Sequence, residues 1–311
     1  MDAEAFAYSA FVVGLTFTAI ASAGYVALPL WPRVAYGTAT TDAGTTMTVV
    51  TRAQPPAWLG PVASAMTWLA LAALSASLAS RWVAGGRPPL SNMYEFTVGL
   101  GWAIVLCYAL FEARAMSRGE DAAPNRTVGA FLLPVALAMF VVALAFFPSE
   151  VQSLIPALQA NRILGAHVTT MMLSYAALSV SFGAAAGYLV QARSDRDANG
   201  ARRFERLPEP AMMEEIANRS VLIGFPLLTV GIGLGAYWAY SAWGRYWGWD
   251  PKETSALVTW LIYAGYLHAR NLRGWKGRGA AWLLVAGFAA VLFTYFAVNL
   301  WVSGLHSYAG V

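Results

Sequence analysis

The feature that most constrains this chain is the grouping of its apolar residues into long blocks. Each block runs for about 17–25 residues, the length a helix needs to cross a bilayer core of about 30 Å. Eight blocks are read, at approximately 9–30, 61–80, 94–112, 128–147, 168–190, 220–240, 254–269 and 281–302. Hydrophobic residues make up 58% of the 311, and charged ones 12%, about half the share of roughly 25% in soluble proteins. Grouping rather than composition decides the class. The chain reads as an all-α, polytopic membrane protein with about eight transmembrane helices and a single membrane domain, 1–311. The seventh block is the shortest; it begins inside a polar motif and ends at His268.

The opening MDAEAFAY carries two acids and no Lys or Arg. A secretory signal has a basic start and a small-residue cleavage site, so the first block reads as a retained helix. Lys and Arg in the loops set the orientation. The loops after blocks one, three, five and seven hold fifteen of the twenty basic residues; the other side holds Arg81, Arg87, Arg162, Arg245 and Lys252. The first set is therefore assigned to the cytoplasm and both termini to the outside. The stretch from Arg193 to Arg219 mixes arginines with Asp195, Asp197, Glu205, Glu209, Glu214 and Glu215, and reads as a solvated cytoplasmic connector.

Several chemistries are excluded or left without a signal. Cys107 is the single cysteine, so there is no intrachain disulfide, no CxxC and no CxxCH. There is no internal repeat and no nucleotide-binding glycine motif, and no nucleic acid is expected among the partners. Gly231, Gly233 and Gly235 lie within the sixth block, where close helix contact is the ordinary explanation. The pair Gly183 and Gly187 in the fifth block has the same reading.

The loop between blocks six and seven is the most unusual stretch. Five of the thirteen tryptophans fall between Trp238 and Trp260, namely Trp238, Trp243, Trp247, Trp249 and Trp260, with Tyr237, Tyr240 and Tyr246 among them. An aromatic belt at headgroup depth is one explanation; a shelf for a flat, apolar, conjugated ligand is the other. Composition alone leaves both open. The shelf runs into Asp250-Pro251-Lys252-Glu253. Asp at the N-cap, Pro at N1 and Glu at N3 form a rigid helix start.

The chain has three histidines, His167, His268 and His306. The charge count puts His167 and His306 at the membrane face that carries the shelf. His268 lies about 21 Å deeper, fourteen residues beyond Thr254 at 1.5 Å each. A lone histidine at a helix end is ordinarily a capping or interfacial residue. Two of them flanking an aromatic shelf fit a different use, since neutral imidazole is a common axial ligand of heme iron. An ionisable His268 near the membrane interior is a functional candidate by default. Upstream, PLSNMYEF at 89–96 reads as turn and cap chemistry, with Glu95 as an acid at the edge of an apolar helix. An arginine partner, polar backbone and a role in the site are all open readings for Glu95.

These residues carry a resemblance. Trp243 to Arg270, WGRYWGWDPKETSALVTWLIYAGYLHAR, resembles the tryptophan-rich "WWD" domain of the heme-handling proteins of cytochrome c maturation. The nearest likeness is to the CcsA/ResC-type subunit (CcsB in some lineages) of the system II cytochrome c synthase. PLSNMYEF and the order His, WWD segment, His, His are similar to that family too, so the resemblance spans residues 88–306. It implies that His167 and His306 ligate heme iron at the outer face and that His268 contacts heme on its way across. It also implies that Trp243, Tyr246, Trp247, Trp249 and Asp250 form the heme platform. Ser255, where the family commonly has Trp, and Tyr240, often Asn, depart from the pattern.

The implied function is c-type cytochrome biogenesis in the plasma membrane. Heme b, as substrate and ligand, would cross the membrane and be presented at the outer platform for thioether attachment to CxxCH of apocytochrome c. The chain would be the heme-handling subunit of a holocytochrome c synthase (heme lyase) complex, with no catalytic side chain of its own. A ResB-type subunit is the implied partner, and thiol-reducing proteins belong to the same setting. A heme transporter or chaperone without synthase activity would use the same residues. A cytochrome b anchor fits less well, because two of the three histidines lie at the surface. A structural or channel protein remains the reading if no heme is bound.

Overall fold

Inside lipid a backbone N–H or C=O finds no water, so long apolar blocks close their hydrogen bonds internally as helices. The computed structural model describes residues 2–32, 34–40, 46–119, 122–151, 162–193 and 207–306, and these follow that rule. The helices are α1 (Ala3–Leu30), α2 (Leu59–Gly85), α3 (Met93–Ser117), α4 (Ala122–Phe146), α5 (Arg162–Arg193), α6 (Pro210–Trp243), α7 (Pro251–Arg273) and α8 (Arg278–Leu292). A π-helical turn, Phe293–Ala297, continues α8 into the short α9 (Val298–Leu300). The middle of the expected connector, 194–206, lies outside the described residues.

Seven segments among the described residues are long and apolar enough to cross a membrane: α1 to α6 and Arg278–Ala297. The helical membrane class read from the sequence therefore stands. At 23 residues, α7 is about 35 Å long, but Lys252 and Glu253 at one end and His268, Arg270 and Arg273 at the other dilute its apolar character. Among the described residues, the one addition to the helical plan is a strand pair between α1 and α2. Its strands β1 (Val34–Thr40) and β2 (Thr46–Arg52) pair antiparallel, with Val34 opposite Arg52 and Thr40 opposite Thr46. Their Val, Thr and Tyr content suits strands.

The helices form two groups sharing one core. In the first, α1 packs on α2 and α4, and α3 on α4; in the second, α5 packs on α6 and α8, and α7 on α8. Contacts of α5 with α3 and α4 join them.

The first group carries a buried ionic cluster at each end. At one end Glu95, at the start of α3, accepts from Arg81 at 3.2 Å and Arg87 at 3.0 Å, and from the Ser91 amide and hydroxyl at 2.9 and 2.8 Å. Arg81 also donates to the Ser149 carbonyl at 2.7 Å. Asn92 caps α3 by accepting from the Glu95 amide at 2.9 Å. Of the partners open for Glu95, the arginine and the polar backbone are both present. At the other end Glu112 accepts from Tyr25 at 2.8 Å, from Arg126 at 3.0 Å and from Ser64. The first cluster ties the α2–α3 loop to the start of α3, and the second joins α1, α2, α3 and α4 near the other end of α3.

Candidate binding site

Four chain segments converge at one end of the second group. The start of α5, the end of α6, the start of α7 and the stretch after α9 meet there, because successive helices run up and down. They enclose an open-mouthed cavity with about 1100 Å³ of empty space, its mouth included. His167 and His306, 139 residues apart in sequence, both line it. Its walls are apolar or aromatic: Leu164, Val168, Met171, Met172 and Tyr175 of α5, Trp238 of α6, Tyr246 and Trp247 of the loop, Phe96 of α3 and Leu90 just before it. Lys252 and Glu253 bring charge to the rim of α7.

His167 sits in the second turn of α5. Its Nδ1 lies 2.7 Å from the Gly231 carbonyl oxygen of α6. A carbonyl oxygen only accepts, so Nδ1 carries the hydrogen and Nε2 keeps a lone pair. The ring reaches that carbonyl because α6 has no side chain in its way. A Cβ at Gly235 would stand 2.6 Å from the ring's Cε1 and 2.8 Å from Nδ1. Of the three glycines read as a close-contact stripe, Gly235 makes room for the imidazole and Gly231 for Met171, while a Cβ at Gly233 would meet nothing within 4 Å.

His306 lies beyond α9, and Asp250 holds it. Asp250 Oδ2 is 2.7 Å from His306 Nδ1, while Oδ1 accepts from the Leu305 amide at 2.6 Å. The same carboxylate caps α7 by accepting from the Lys252 amide at 3.1 Å. Glu253 completes the capping box by accepting from the Asp250 amide at 3.1 Å, and takes the Gly248 amide at 2.8 Å. The rigid helix start expected of DPKE is therefore present, and it also anchors the histidine. Burial by itself would raise the Asp250 carboxyl, but the hydrogen bonds from His306, Leu305 and Lys252 hold it below the ordinary carboxylate value. Burial, aided by the Lys252 charge and opposed by Asp250, pushes His306 down to about 4. A neutral imidazole donating from Nδ1 to a carboxylate follows, with Nε2 again unprotonated.

The aromatics pack in two sets. Trp243 meets Trp238 edge-on at 4.8 Å and His306 edge-on at 5.1 Å, so it buttresses the histidine from behind. Tyr240 stacks on Tyr246 at 4.6 Å, and Trp247 meets Trp249 edge-on at 5.8 Å. Trp249 itself is 68% exposed and does not line the cavity. It adopts φ 58°, a left-handed conformation uncommon for a bulky residue, where the chain turns from the loop into the cap. Ser255, one of the departures, is buried with its hydroxyl donating to the Lys252 carbonyl at 3.2 Å; Tyr240, the other, is exposed, as is Tyr246, on which it stacks.

His268 is not part of this site. It lies on an exposed face of α7, about 21 Å past Thr254 along an unbroken helix. Sequence reasoning did not single out Tyr175, Thr294 and Tyr295, which also line the cavity. The π-helical turn carries the last two, with the Tyr295 hydroxyl 3.0 Å from Thr97 and the Thr294 hydroxyl 3.3 Å from Thr259. Nothing local marks a lone tyrosine or threonine in an apolar helix as part of a site.

Comparison with known proteins gives a consistent picture. Residues 90–306 match the family model described as "Cytochrome C assembly protein". The chain is similar to the cytochrome c biogenesis protein CcsA of Microcystis aeruginosa, 37% identical over 297 residues, covering 80% of this chain and 87% of that one. It is also similar to CcsA of Gloeothece citriformis, at 36% with the same coverage. For CcsA of Synechocystis sp. the identity is 35%, over 82% of this chain and 90% of that one. Among solved structures, the fold is similar to that of the cytochrome c heme lyase CcmF, with a TM-score of 0.68 at 19% identity. That likeness covers 95% of this chain, which spans 47% of the length of the CcmF chain.

Proposed function

This chain belongs to the cytochrome c assembly protein family, and from that premise we propose that its cavity holds heme b as a substrate for attachment to apocytochrome c. The observation that carries the reading is the pair His167 and His306. Each has its Nδ1 engaged, at 2.7 Å, and each lines one aromatic cavity. Both therefore offer an Nε2 lone pair to iron, the donor used for axial ligation. Tyr246 and Trp247 supply apolar surface for the macrocycle, and Lys252 offers a cation suited to its carboxylates.

The reaction needs no nucleophile from this chain. Each thiol of a CxxCH segment adds across one heme vinyl group: sulfur bonds to one vinyl carbon, the thiol hydrogen ends on the other, and nothing leaves. The protein's share is to fix the ring and hold its vinyl edge toward the cavity mouth. In this reading the site faces outward across the plasma membrane, which the fifteen-to-five distribution of basic residues supports. A ResB-type partner completes the complex. The exposure of His268 on α7 fits a ligand set shared with a second subunit for heme in transit.

The test is spectroscopic. The chain, purified alone and with its partner, should show a six-coordinate bis-histidine heme spectrum, and both H167A and H306A should lose it together with covalent attachment. Full spectra and normal attachment in both variants would sink the assignment. Bound heme without covalent product, in cells supplying apocytochrome and partner, would favour a transporter or chaperone.

A further inference from the structure

Resting on the reading of His167 and His306 as iron ligands, we infer that Asp250 and the α6 glycines Gly231 and Gly235 are positioning residues that make the two imidazoles unequal. His306 is the stronger and more firmly held donor; His167 is the one that leaves the iron first.

The inequality comes from what each Nδ1 faces. His306 donates to a carboxylate that is almost wholly buried, its side chain 3% exposed. A buried anion pulls on the Nδ1 hydrogen, gives the ring partial imidazolate character and strengthens donation from Nε2. His167 donates to a neutral backbone carbonyl. That carbonyl lies inside α6, where it also serves the helix's own i→i+4 ladder. Its pull on the imidazole is correspondingly weaker.

The two seats differ mechanically as well. Asp250 grips the His306 segment twice, through the ring and through the Leu305 amide, and its own position is set by the cap of α7. The fit is close on the far side too, since a Cβ at Gly304 would stand 2.6 Å from Asp250 Oδ1. His167 is tethered at one atom, in a hollow that Gly235 leaves open. A ring ligated by both histidines would therefore open on its His167 face, the face of α5 and α6, when another ligand competes.

The experiment uses the full-length chain loaded with heme b in detergent and reduced to the ferrous state. H167A leaves only His306 on iron, and H306A leaves only His167. Resonance Raman should give a higher iron–imidazole stretching frequency for H167A than for H306A, and D250N in the H167A background should lower it toward the H306A value. Equal frequencies, the reverse order or an unmoved D250N frequency would overturn the inference. If the single-histidine forms do not retain heme, D250N alone decides it: its low-spin spectrum should persist while the midpoint potential rises, and an unchanged potential counts against the role. Failure of the underlying reading looks different. In that case the wild-type chain takes up no heme, or H167A and H306A both stay bis-histidine, and the inference falls with it.

Discussion

One carboxylate, Asp250, caps α7 and holds His306: its Oδ2 lies 2.7 Å from the histidine's Nδ1 and 3.1 Å from the Lys252 amide. The helix start and the candidate iron ligand are thus mechanically one unit. Asp250→Ala should remove both functions together. Loss of the cap costs about 0.5–2 kcal/mol, visible as a lower unfolding temperature in detergent, and the freed His306 should bring loss of bound heme. A variant that keeps its heme spectrum at reduced stability would show that the cap matters and the tether does not.

The pH response follows from His306, which is held down to about 4 chiefly by burial. A histidine whose folded-state value lies below its ordinary value of about 6.5 favours the fold when neutral. Its contribution is complete above about 6.5, declines as the pH falls and is gone near 4. Conformational stability should fall across that window, while heme ligation by the folded protein persists until the pH approaches 4. Lys252→Met removes a charge that depresses His306, so the acid midpoint for heme loss, followed by absorbance, should move to higher pH.

The glycine stripe of α6 gives a paired comparison. Gly235→Ala would set a Cβ 2.6 Å from the His167 ring, whereas a Cβ at Gly233 meets nothing within 4 Å. Gly235→Ala should convert bound heme from low-spin to partly high-spin, and Gly233→Ala should leave the spectrum as it is. Equivalent spectra for the two would show that α6 does not set the ring.

At the start of α3, Glu95 and Arg81 are 1% and 2% exposed. Removing one partner strands a buried charge, so Glu95→Ala should destabilise the protein by about 3–5 kcal/mol. Replacing both, as Arg81→Met with Glu95→Leu, should cost less than Glu95→Ala alone. Thermal unfolding in detergent measures the difference, and a larger loss in the double variant would contradict this account.

Much of the architecture was legible because it depends on local periodicity. Blocks of apolar residues make membrane helices whatever their neighbours, and Asp250-Pro251-Lys252-Glu253 caps a helix through groups three residues apart. The strand pair at 34–40 and 46–52 went unread because its Thr and Val content is a weak signal beside long apolar runs. The α7 helix reads poorly as a span because ionisable residues, Lys252 and Glu253 at one end and His268, Arg270 and Arg273 at the other, dilute its apolar run.

By itself, the sequence determined the helical membrane class, the capped start of α7 and the identity of the candidate ligands, since these rest on residue type and short spacing. Only the tertiary structure decided that His167 and His306 share a cavity and that His268 lies apart from it on an exposed face. It also decided that Trp243 backs His306 while Trp249 faces outward, and that Gly231 and Asp250 assign each ring its tautomer. These relations join residues up to 139 positions apart. They depend on how helices pack, and no local pattern encodes which carbonyl or carboxylate will meet a given imidazole.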